Sequence, residues 1–363
     1  MDRETVQTGT RSRLDIDALP AADLSALGRC LRQSGYTTGR VRRLLELADP
    51  VEEILANTGR YSWQCWDQLA ESTEPPSVLG RLFLFCGQVP TAELDGLDPA
   101  LTTLLRRLGL VEPVPDDPAK VRAVVALTEF QGRYFLSDTL FERVGHDLLV
   151  SADESRCMPP HASSLELFSA LRKPDHARSF LDVGCGSGCQ SVLFASEYER
   201  VTGFDPNPAS AAFARANASL NGVRADYAVA GWESFSADEP FDHVAFNTPD
   251  ADTAFAFINA GLDAVLAPSG RAQVWLVCEI AQSEGNLQGA LRRRLRNPQD
   301  WQVTTLVHRD SPLSLTQGDI LARRLPYGTL LVGHPSEREA FFRRLAERRT
   351  VEIVSTTLTV QRR

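Results

Sequence analysis

Residues 180–188 read Phe-Leu-Asp-Val-Gly-Cys-Gly-Ser-Gly, an apolar run that passes directly into glycines at three alternate positions. A continuous apolar run before a glycine-rich turn predicts a buried strand, and the apolar residues after the turn predict a helix. Because Gly184, Gly186 and Gly188 have no side chains, the backbone of this turn can approach a bound ligand closely. The helix that follows directs backbone N–H groups toward the same turn. The stretch therefore predicts a ligand-binding loop at the end of a strand.

Two further features narrow the class of ligand that this loop would bind. Asp205 ends the next apolar run, about 20 residues after the loop, where a carboxylate can accept hydrogen bonds from both ribose hydroxyls. Gly231 and Trp232 follow the third run. A dinucleotide site more often shows the spacing GxGxxG, with a pyrophosphate over the helix N-terminus. The combination predicts a nucleoside pocket that does not require a pyrophosphate.

Strands and helices alternate on both sides of this loop. Apolar runs begin near residues 179, 200, 226, 241 and 271, and helical stretches separate them. Such continuous runs are typical of a parallel sheet that is covered on both faces. After them come an extended run, a helix and a final extended run, an order that is similar to the antiparallel pair that closes seven-stranded sheets of a known family named below. We expect an α/β fold with a Rossmann-like sheet of seven strands over residues 151–363.

The first part of the chain has a different pattern. Residues 1–18 are polar and unpatterned, and we expect them to be a disordered tail. Residues 21–88 show helical periodicity, and residues 89–138 predict a helix ending near Leu108 followed by two extended segments. This order resembles a winged-helix module. We therefore expect a mostly helical, winged-helix-like domain over residues 19–150, serving substrate binding or dimerisation.

Composition and charge exclude several classes of protein. The chain has 363 residues, 43% of them hydrophobic, which is enough for about two folded domains and excludes a disordered chain. No apolar stretch reaches the roughly 18 residues that span a bilayer, and we expect a cytoplasmic protein without a membrane partner. The seven cysteines include no CxxC pair, so we expect reduced thiols and no metal site.

The charge also bears on nucleic-acid binding, which many winged helices perform. The chain has a formal net charge of −9, and residues 1–150 contain 16 basic against 22 acidic residues. Arg106 and Arg107 form a basic doublet on the candidate recognition helix, although a solvated helix face is the simpler interpretation. A phosphate backbone would be repelled by this balance, so we expect no nucleic-acid partner.

Residues 179–280 resemble a class I S-adenosylmethionine-dependent methyltransferase, and the stretch LDVGCGSG is similar to the first motif of that family. The resemblance implies S-adenosyl-L-methionine as cofactor and S-adenosyl-L-homocysteine as product. It implies that Asp205 holds the ribose, that Trp232 lies beside the adenine and that Asp182 orients the loop or reaches the cofactor amine. The full set of implied cofactor-binding residues is Asp182, Gly184, Cys185, Gly186, Gly188, Asp205, Pro206, Gly231, Trp232 and Asn247.

The segment after the fourth apolar run carries a second resemblance. Residues 246–250 read Phe-Asn-Thr-Pro-Asp, similar to the Asn-Pro-Pro-Tyr motif of HemK-like and related N-methyltransferases. In that motif the Asn oxygen and the next backbone carbonyl accept hydrogen bonds from the substrate nitrogen. Asn247 keeps the amide, whereas Thr248 in place of Pro loosens the turn and Asp250 in place of Tyr removes the stacking ring. These departures predict a different substrate from the usual one.

Several side chains are candidates for substrate binding and catalysis. Asn247, Asp250 and His161 are the predicted catalytic residues, and Tyr134, His161, Thr248, Pro249 and Asp250 are the predicted substrate-binding residues. Structural alternatives exist for three of them. Asp250 precedes a helical run and is a good helix cap, His161 lies in a loop where it is equally a cap, and Tyr134 is equally a core residue.

Three functions remain open from the sequence. The first is methyl transfer from S-adenosylmethionine to a nucleophile on a small molecule or peptide, with nitrogen favoured over oxygen or carbon, in bacterial specialised metabolism and in a homodimer. The second is methylation of ribosomal RNA or of a translation protein. The third is a non-catalytic winged-helix regulator that binds a nucleoside ligand.

Overall fold

The structure is a computed structural model, which describes residues 14–151, 155–297, 299–325 and 335–363. Contacts divide the chain into two compact units. The N-terminal unit contains the residues up to Ile54, together with Thr58–Pro159 and Ser219–Gly222. The α/β unit contains Leu55–Asn57, Pro160–Ala218 and Val223–Arg363. Most of the predicted disordered tail, residues 1–13, lies outside the described residues, while Ile16–Ala18 form a 3₁₀ turn with a buried Ile16.

The first half of the chain is mostly helical up to residue 84, with short strands afterwards. Its helices are α1 (Ala21–Ser34), α2 (Thr38–Leu44), α3 (Val51–Ala56), α4 (Thr58–Ala70), α5 (Pro75–Leu79), α6 (Thr91–Asp95) and α7 (Pro99–Arg107), with a π-helical turn at Gly80–Leu84. Its strands are β1 (Gln88–Pro90), β2 (Val111–Val114), β3 (Asp117–Ala123), β4 (Ala126–Phe130), β5 (Arg133–Ser137), β6 (Phe141–Val144) and β7 (Asp147–Val150).

Strands β1, β2 and β3 form a small antiparallel sheet in the order β1-β3-β2, with α6 and α7 between β1 and β2 along the chain. Asp98 caps α7 by accepting hydrogen bonds from the backbone N–H groups of Ala100 and Leu101. The basic doublet of α7 is paired with acidic side chains of the same unit: Arg106 with Asp95 and Arg107 with Asp23, both at 2.5 Å. These ion pairs remove most of the positive charge that the doublet would otherwise present.

The α/β unit alternates strands and helices. Its helices are α8 (Ala162–Ala170), α9 (Cys189–Phe194), α10 (Pro208–Asn221), α11 (Ala251–Ala256), α12 (Leu262–Val265), α13 (Leu287–Arg294), α14 (Gln317–Leu321) and α15 (Pro335–Glu347). Its strands are β8 (Ser179–Val183), β9 (Arg200–Asp205), β10 (Asp226–Val229), β11 (Phe241–Asn247), β12 (Leu266–Ala281), β13 (Trp301–Val307) and β14 (Thr350–Arg362). Each strand corresponds to an apolar or extended run predicted from the sequence.

These strands form one seven-stranded sheet in the order β10-β9-β8-β11-β12-β14-β13. The five strands β8 to β12 are parallel to one another, and β14 pairs antiparallel with both β12 and β13. The predicted Rossmann-like sheet and its antiparallel end are therefore confirmed. The strand order reverses between β8 and β11, and ligands of open parallel sheets bind at the carboxyl ends of the strands at such a point.

Both faces of the sheet are covered by apolar side chains, as the continuous runs predicted. On one face Leu181, Val244 and Val274 pack against α11, α12 and α13. On the other face Phe180 and Trp275 pack with Leu167 of α8. None of the described helices combines the length and the apolar character that crossing a bilayer requires.

Candidate functional site

The glycine loop connects β8 to α9, and its three alternate glycines have left-handed backbone conformations. Their φ angles are +57° at Gly184, +52° at Gly186 and +76° at Gly188. At Gly188 a Cβ atom would lie 3.0 Å from the side chains of Ala214 and Tyr227, whereas at Gly186 it would meet nothing within 4 Å. The backbone conformation therefore requires glycine at all three positions, and the loop is open to a ligand beside Gly186.

Asp205 is the last residue of β9, the strand beside β8, and its side chain contacts the glycine loop. Its carboxylate accepts hydrogen bonds from the backbone N–H groups of Gly186, at 2.9 Å, and Asn207, at 2.8 Å. Burial raises the pKa of Asp205, although its backbone hydrogen bonds act in the opposite direction. The structure thus places the predicted ribose-binding carboxylate directly against the middle glycine of the loop.

Asp182 lies behind the loop and is 2% exposed. Its carboxylate accepts a hydrogen bond from the backbone N–H of Ser191 in α9 at 2.9 Å, which ties β8 to the first turns of that helix. Burial raises the pKa of Asp182 to about 7, and the hydrogen bonds from Ser191 only partly oppose this shift. Of the two roles predicted for Asp182, these contacts favour the one of orienting the loop.

Two residues outside the predicted set of site residues also shape the loop. The amide of Asn217 in α10 donates to the carbonyl oxygen of Ser187 at 2.9 Å, and this asparagine is fully buried. The hydroxyl of Tyr227 in β10 forms a 2.9 Å hydrogen bond with the Ser191 hydroxyl. A buried polar residue inside an alanine-rich helix is unusual, so Asn217 offered a signal in the sequence, whereas Tyr227 looked like an ordinary strand residue.

The remaining predicted cofactor residues are spread along the same edge of the sheet. Cys185 is buried within the loop, and its backbone N–H donates to the Phe204 carbonyl at 2.9 Å. Pro206 is exposed immediately after Asp205. Trp232 is half-buried and packs edge-on against Phe257, with ring centroids 6.2 Å apart. Its position beside an adenine therefore stays a prediction.

Asn247 ends β11 opposite Trp275 of β12. Its side-chain Nδ2 donates to the hydroxyl of Ser163 at 3.0 Å and lies 3.5 Å from that of Ser164, both in the first turn of α8. The next residue, Thr248, is buried, and its hydroxyl lies 3.0 Å from the carbonyl oxygens of Trp275 and Asp250. These hydrogen bonds fix the conformation of the turn, which in the Asn-Pro-Pro-Tyr motif is restricted by a proline at this position.

Asp250 and Pro249 are exposed beyond this turn. The Asp250 carboxylate is the N-cap of α11, because it accepts hydrogen bonds from the Thr253 backbone N–H at 2.7 Å and the Thr253 hydroxyl at 2.9 Å. These contacts support the alternative in which Asp250 caps the helix. Substrate binding by this carboxylate stays a prediction.

His161 is the N-cap of α8. Its Nδ1 accepts from the Ser163 backbone N–H at 3.4 Å and lies 3.3 Å from the Ser163 hydroxyl. Burial lowers the pKa of His161 to about 4, so its ring is neutral near pH 7. The ring belongs to the α/β unit and contacts the serine that holds Asn247.

Tyr134 belongs to the N-terminal unit, where it is 2% exposed. Its hydroxyl donates to the backbone carbonyl of Tyr36 at 2.9 Å, and the rings of Tyr134 and Tyr36 are stacked with centroids 6.4 Å apart. Burial raises the pKa of Tyr134 to about 12. These contacts support the core alternative, and a substrate contact by Tyr134 stays a prediction.

A cavity of about 370 Å³ lies at the carboxyl edge of β11 and β12. One wall is apolar, and the rim carries ion pairs in which the Glu279 carboxylate accepts from Arg344 at 3.0 Å and Arg348 at 3.3 Å. Pro249, Asp250 and Asp252 line the same cavity, beside the turn that follows Asn247. Within the described ranges, no three His, Cys, Asp or Glu side chains are grouped so that they could hold a metal ion.

The fold and this edge define the class. This arrangement is similar to that of a class I methyltransferase. The sheet has five parallel strands and an antiparallel pair at one end. The glycine loop follows its central strand, and an acid ends the next strand. Residues 180–270 match the family described as "Methyltransferase domain". The α/β unit therefore contains a methyltransferase domain that is similar to class I S-adenosylmethionine-dependent methyltransferases.

Comparison with known proteins gives one curated relative with the same kind of domain. The chain is 31% identical over 144 residues to the release factor glutamine methyltransferase of Geobacter sulfurreducens, which covers 39% of this chain and 49% of that protein. The chain thus spans about half the length of the curated relative it matches.

Two solved structures are more distantly similar. The first is a SAM-dependent methyltransferase from Thiobacillus denitrificans in complex with S-adenosyl-L-homocysteine, at 18% identity and a TM-score of 0.34, covering 55% of this chain and 91% of that one. The second is coclaurine N-methyltransferase bound to N-methylheliamine and SAH, at 11% identity and a TM-score of 0.35, covering 55% and 70%. Both likenesses are too distant to bear on function.

Proposed function

We propose that the protein transfers a methyl group from S-adenosylmethionine to a nitrogen of a small molecule or peptide. The observation that carries this proposal is the placement of Asn247, whose amide stands at the carboxyl end of β11, next to the strand that carries the glycine loop. An amide at this position can accept a hydrogen bond from the acceptor and so point its lone pair at the methyl group.

The residues of the loop fit a nucleoside-type cofactor. The loop is open beside Gly186, and the Asp205 carboxylate, partly exposed there, can accept hydrogen bonds from ribose hydroxyls. When bound, S-adenosylmethionine supplies a methyl group that the positive sulfonium already activates. Gly184, Gly186 and Gly188 would line it, and Asp182 would keep the loop in place through Ser191.

In the reaction, the acceptor nitrogen uses its lone pair to form the bond to the methyl carbon. The electron pair of the broken carbon–sulfur bond would stay on sulfur, and the methylated nitrogen would then lose a proton. The protein contributes orientation and exclusion of water, because the donor needs no further activation. The acceptor occupies the cavity beside Pro249 and Asp250, where the side chains of Arg344, Arg348 and Glu279 offer both signs of charge.

A second candidate is methylation of a translation protein. It is favoured by the similarity to a release factor glutamine methyltransferase, which would make the acceptor a glutamine side-chain amide. The absence of the Tyr of the Asn-Pro-Pro-Tyr motif, where this chain has Asp250, argues for a different acceptor.

We assign the N-terminal, winged-helix-like unit to substrate binding or dimerisation, and not to nucleic acid. The pairing of Arg106 and Arg107 with Asp95 and Asp23 supports this assignment. A gel-shift assay with random DNA duplexes at low salt tests it. Tight binding that salt weakens steeply would overturn it.

The activity is tested by incubating the full chain with S-adenosylmethionine labelled in the methyl group and with cell extracts, with and without RNase. We expect label in a small-molecule or peptide fraction that is insensitive to RNase. Label in a release factor would favour the second candidate, and label lost on RNase treatment would favour RNA. No transfer into any fraction, despite measurable cofactor binding, would favour a non-catalytic regulator.

A further inference from the structure

We propose that the acceptor carries an anionic group, a carboxylate or a phosphate, which binds to the guanidinium groups of Arg344 and Arg348. Both arginines line the cavity beside Pro249 and Asp250. The inference rests on the proposed function, because it concerns the acceptor of the same transfer. It goes further by defining the class of acceptor as a nitrogen nucleophile joined to an anionic group.

Charge is distributed unevenly along the chain. Residues 287–363 contain 14 arginines against 7 acidic residues, whereas residues 1–286 contain 24 basic against 40 acidic residues. The last part therefore has a formal net charge of +7 within a chain of net charge −9. It includes α15, whose residues Phe341, Arg344 and Arg348 line the cavity. An excess of one charge at a cleft raises the local concentration of ligands of the opposite charge.

Arg344 and Arg348 lie one helical turn apart and converge on one carboxylate. Nη2 of Arg344 donates to Oε1 of Glu279 at 3.0 Å, and Nη1 of Arg348 donates to Oε2 at 3.3 Å. Two like charges at this spacing would repel each other, and the carboxylate between them offsets that repulsion. Because Glu279 supplies one negative charge for two positive ones, the three side chains keep one positive charge in excess.

Most donors of the two guanidinium groups are available to a ligand. Each guanidinium has five N–H donors, and in the described part of the chain Glu279 is the one side chain that accepts from either. The arginine side chains are 48% and 54% exposed, whereas that of Glu279 is 17% exposed. Arg344 also lies over the ring of Phe341, 5.2 Å from its centroid, which restrains the guanidinium. A second carboxylate or a phosphate can thus bridge the two groups.

The other charged side chains of the cavity do not cancel this excess at α15. Arg294 faces Glu284 at 4.0 Å, so its charge is balanced. Asp250 and Asp252 belong to the start of α11, three and five residues after Asn247. The acids of the cavity wall that lack a basic partner among the described residues are therefore on the α11 side. An acceptor with its nitrogen at Asn247 would direct its anionic group toward α15.

A purely structural role of the two arginines is the alternative. Ion pairs between exposed side chains contribute little to stability, and one arginine is enough to neutralise Glu279. The second arginine adds a charge that such a role does not need. A ligand that bridges both groups accounts for the pair.

The first experiment needs neither the acceptor nor the cofactor. The full-length protein is labelled with ¹⁵N-arginine, and the Nε–Hε correlations are followed as sodium phosphate or sodium succinate replaces sodium chloride at constant ionic strength. We expect saturable shifts of Arg344 and Arg348 with at least one of these anions. Arg344→Gln and Arg348→Gln assign the resonances and should each weaken binding by about 10-fold, the effect of losing charge-assisted hydrogen bonds. Arg343→Gln removes an exposed arginine of the same helix and should keep the wild-type affinity.

Shifts with phosphate alone would identify the group as a phosphate, and shifts with succinate alone as a carboxylate. Shifts with both support the shared chemistry. No saturable shift with either anion, or an equal loss of affinity in Arg343→Gln, would overturn the inference. These outcomes do not depend on methyl transfer, so they are separate from a failure of the proposed function.

The second experiment uses the acceptor fraction identified by label transfer. Arg344→Gln and Arg348→Gln should each raise the apparent KM by about 10-fold, with little change in kcat or in the Kd for S-adenosylhomocysteine. Arg348→Lys keeps the charge but not the planar fork and should lie between wild type and Arg348→Gln. Arg343→Gln should have wild-type kinetics. A wild-type KM in both glutamine variants of the cavity arginines would contradict the proposal.

Chemical treatment of the same fraction distinguishes the two anionic groups. Loss of acceptor activity after phosphatase treatment would identify a phosphate. Loss after carbodiimide and excess methylamine, but not after phosphatase, would identify a carboxylate. An acceptor that survives both treatments would overturn the inference, as would label that RNase removes, since the basic segment would then serve a nucleic acid.

Discussion

The side chain of Asn247 donates to the hydroxyl of Ser163 at 3.0 Å, which joins the end of β11 to the first turn of α8. This hydrogen bond connects the segment that resembles an N-methyltransferase motif to the helix that precedes β8. It lies entirely within the α/β unit. The acceptor side of the candidate site is therefore built by two segments that are distant in sequence, and each can be altered separately.

The proposed ribose-binding role of Asp205 predicts a loss of cofactor affinity when this residue is replaced. Asp205→Ala should weaken binding of S-adenosylhomocysteine by about 1–3 kcal/mol, because the acceptor of two hydroxyl groups is lost. Isothermal titration calorimetry measures this directly, and circular dichroism shows whether the loop variant is folded. Asp226→Ala, which removes an exposed carboxylate at the start of β10, is the control. Unchanged affinity in folded Asp205→Ala would remove this residue from the ribose site.

The proposed role of Asn247 in orienting the acceptor predicts a different pattern. Asn247→Ala should lower turnover much more than cofactor affinity, since only the geometry of transfer depends on the amide. Steady-state kinetics with the acceptor fraction, together with calorimetry for S-adenosylhomocysteine, separates the two. If turnover stays at the wild-type value, the acceptor is oriented elsewhere, and Tyr134 becomes the next residue to mutate.

Variants of Asp250 distinguish capping of α11 from binding of the substrate. Asp250→Ala should destabilise α11 by about 1 kcal/mol, while Asp250→Asn should retain stability because asparagine also caps helices well. Thermal unfolding of the two variants checks this, with exposed Asp252→Ala as the control. A raised KM in Asp250→Asn, without any loss of stability, would add an anchoring role for the carboxylate. A lowered kcat with an altered pH profile would make it a base.

The buried carboxyl of Asp182 predicts a pH dependence of stability. Its pKa is about 7 in the folded protein, against about 3.9 in an unfolded chain. Between these values the folded protein holds a proton that the unfolded chain has released, so the free energy of unfolding falls as pH rises toward 7.

Asp182→Asn should remove this contribution while keeping an oxygen for the Ser191 N–H. Relative to wild type, the variant should gain up to about 4 kcal/mol between pH 4 and pH 8. Denaturant unfolding at several pH values measures the difference, and exposed Asp238→Asn should show no such trend. A constant difference across this range would mean that Asp182 is ionised throughout.

His243 predicts the opposite trend in acid. This fully buried ring lies 2.6 Å from the Tyr198 hydroxyl and 3.1 Å from Gln273 Oε1, and burial lowers its pKa to about 4. An unfolded histidine titrates near 6.5. The contribution of His243 to the free energy of unfolding should therefore fall by up to about 3 kcal/mol as pH drops from 6.5 to 4, against the opposite contribution of Asp182.

His243→Gln should remove this contribution from the pH dependence of the free energy of unfolding, and the exposed His176→Gln should not. Chemical unfolding between pH 4 and pH 7 provides the measurement. A constant difference between wild type and His243→Gln over this interval would contradict the burial of a neutral ring, because the opposite contribution of Asp182 is common to both proteins.

The sequence determined the core of the α/β unit and the glycine loop. Continuous apolar runs such as residues 179–183 must be covered on both faces, which fixes a parallel sheet with helices on either side. Three alternate glycines predict positive φ angles, and Gly184, Gly186 and Gly188 all have them. The proximity of Asp205 to the loop followed as well, because carboxyl ends of adjacent parallel strands meet at one edge.

Only the tertiary structure decided which polar side chains complete the site. Asn217 reaches the Ser187 carbonyl from α10, and Ser163 reaches Asn247 across 84 residues, and neither pairing follows from a local pattern. The periodicity of apolar residues indicates which face of a helix or strand is apolar, but not which element packs against that face. Hydrogen bonds between distant segments depend on the direction and depth of that packing, which is why the sequence did not reveal the place of Ser163 beside Asn247.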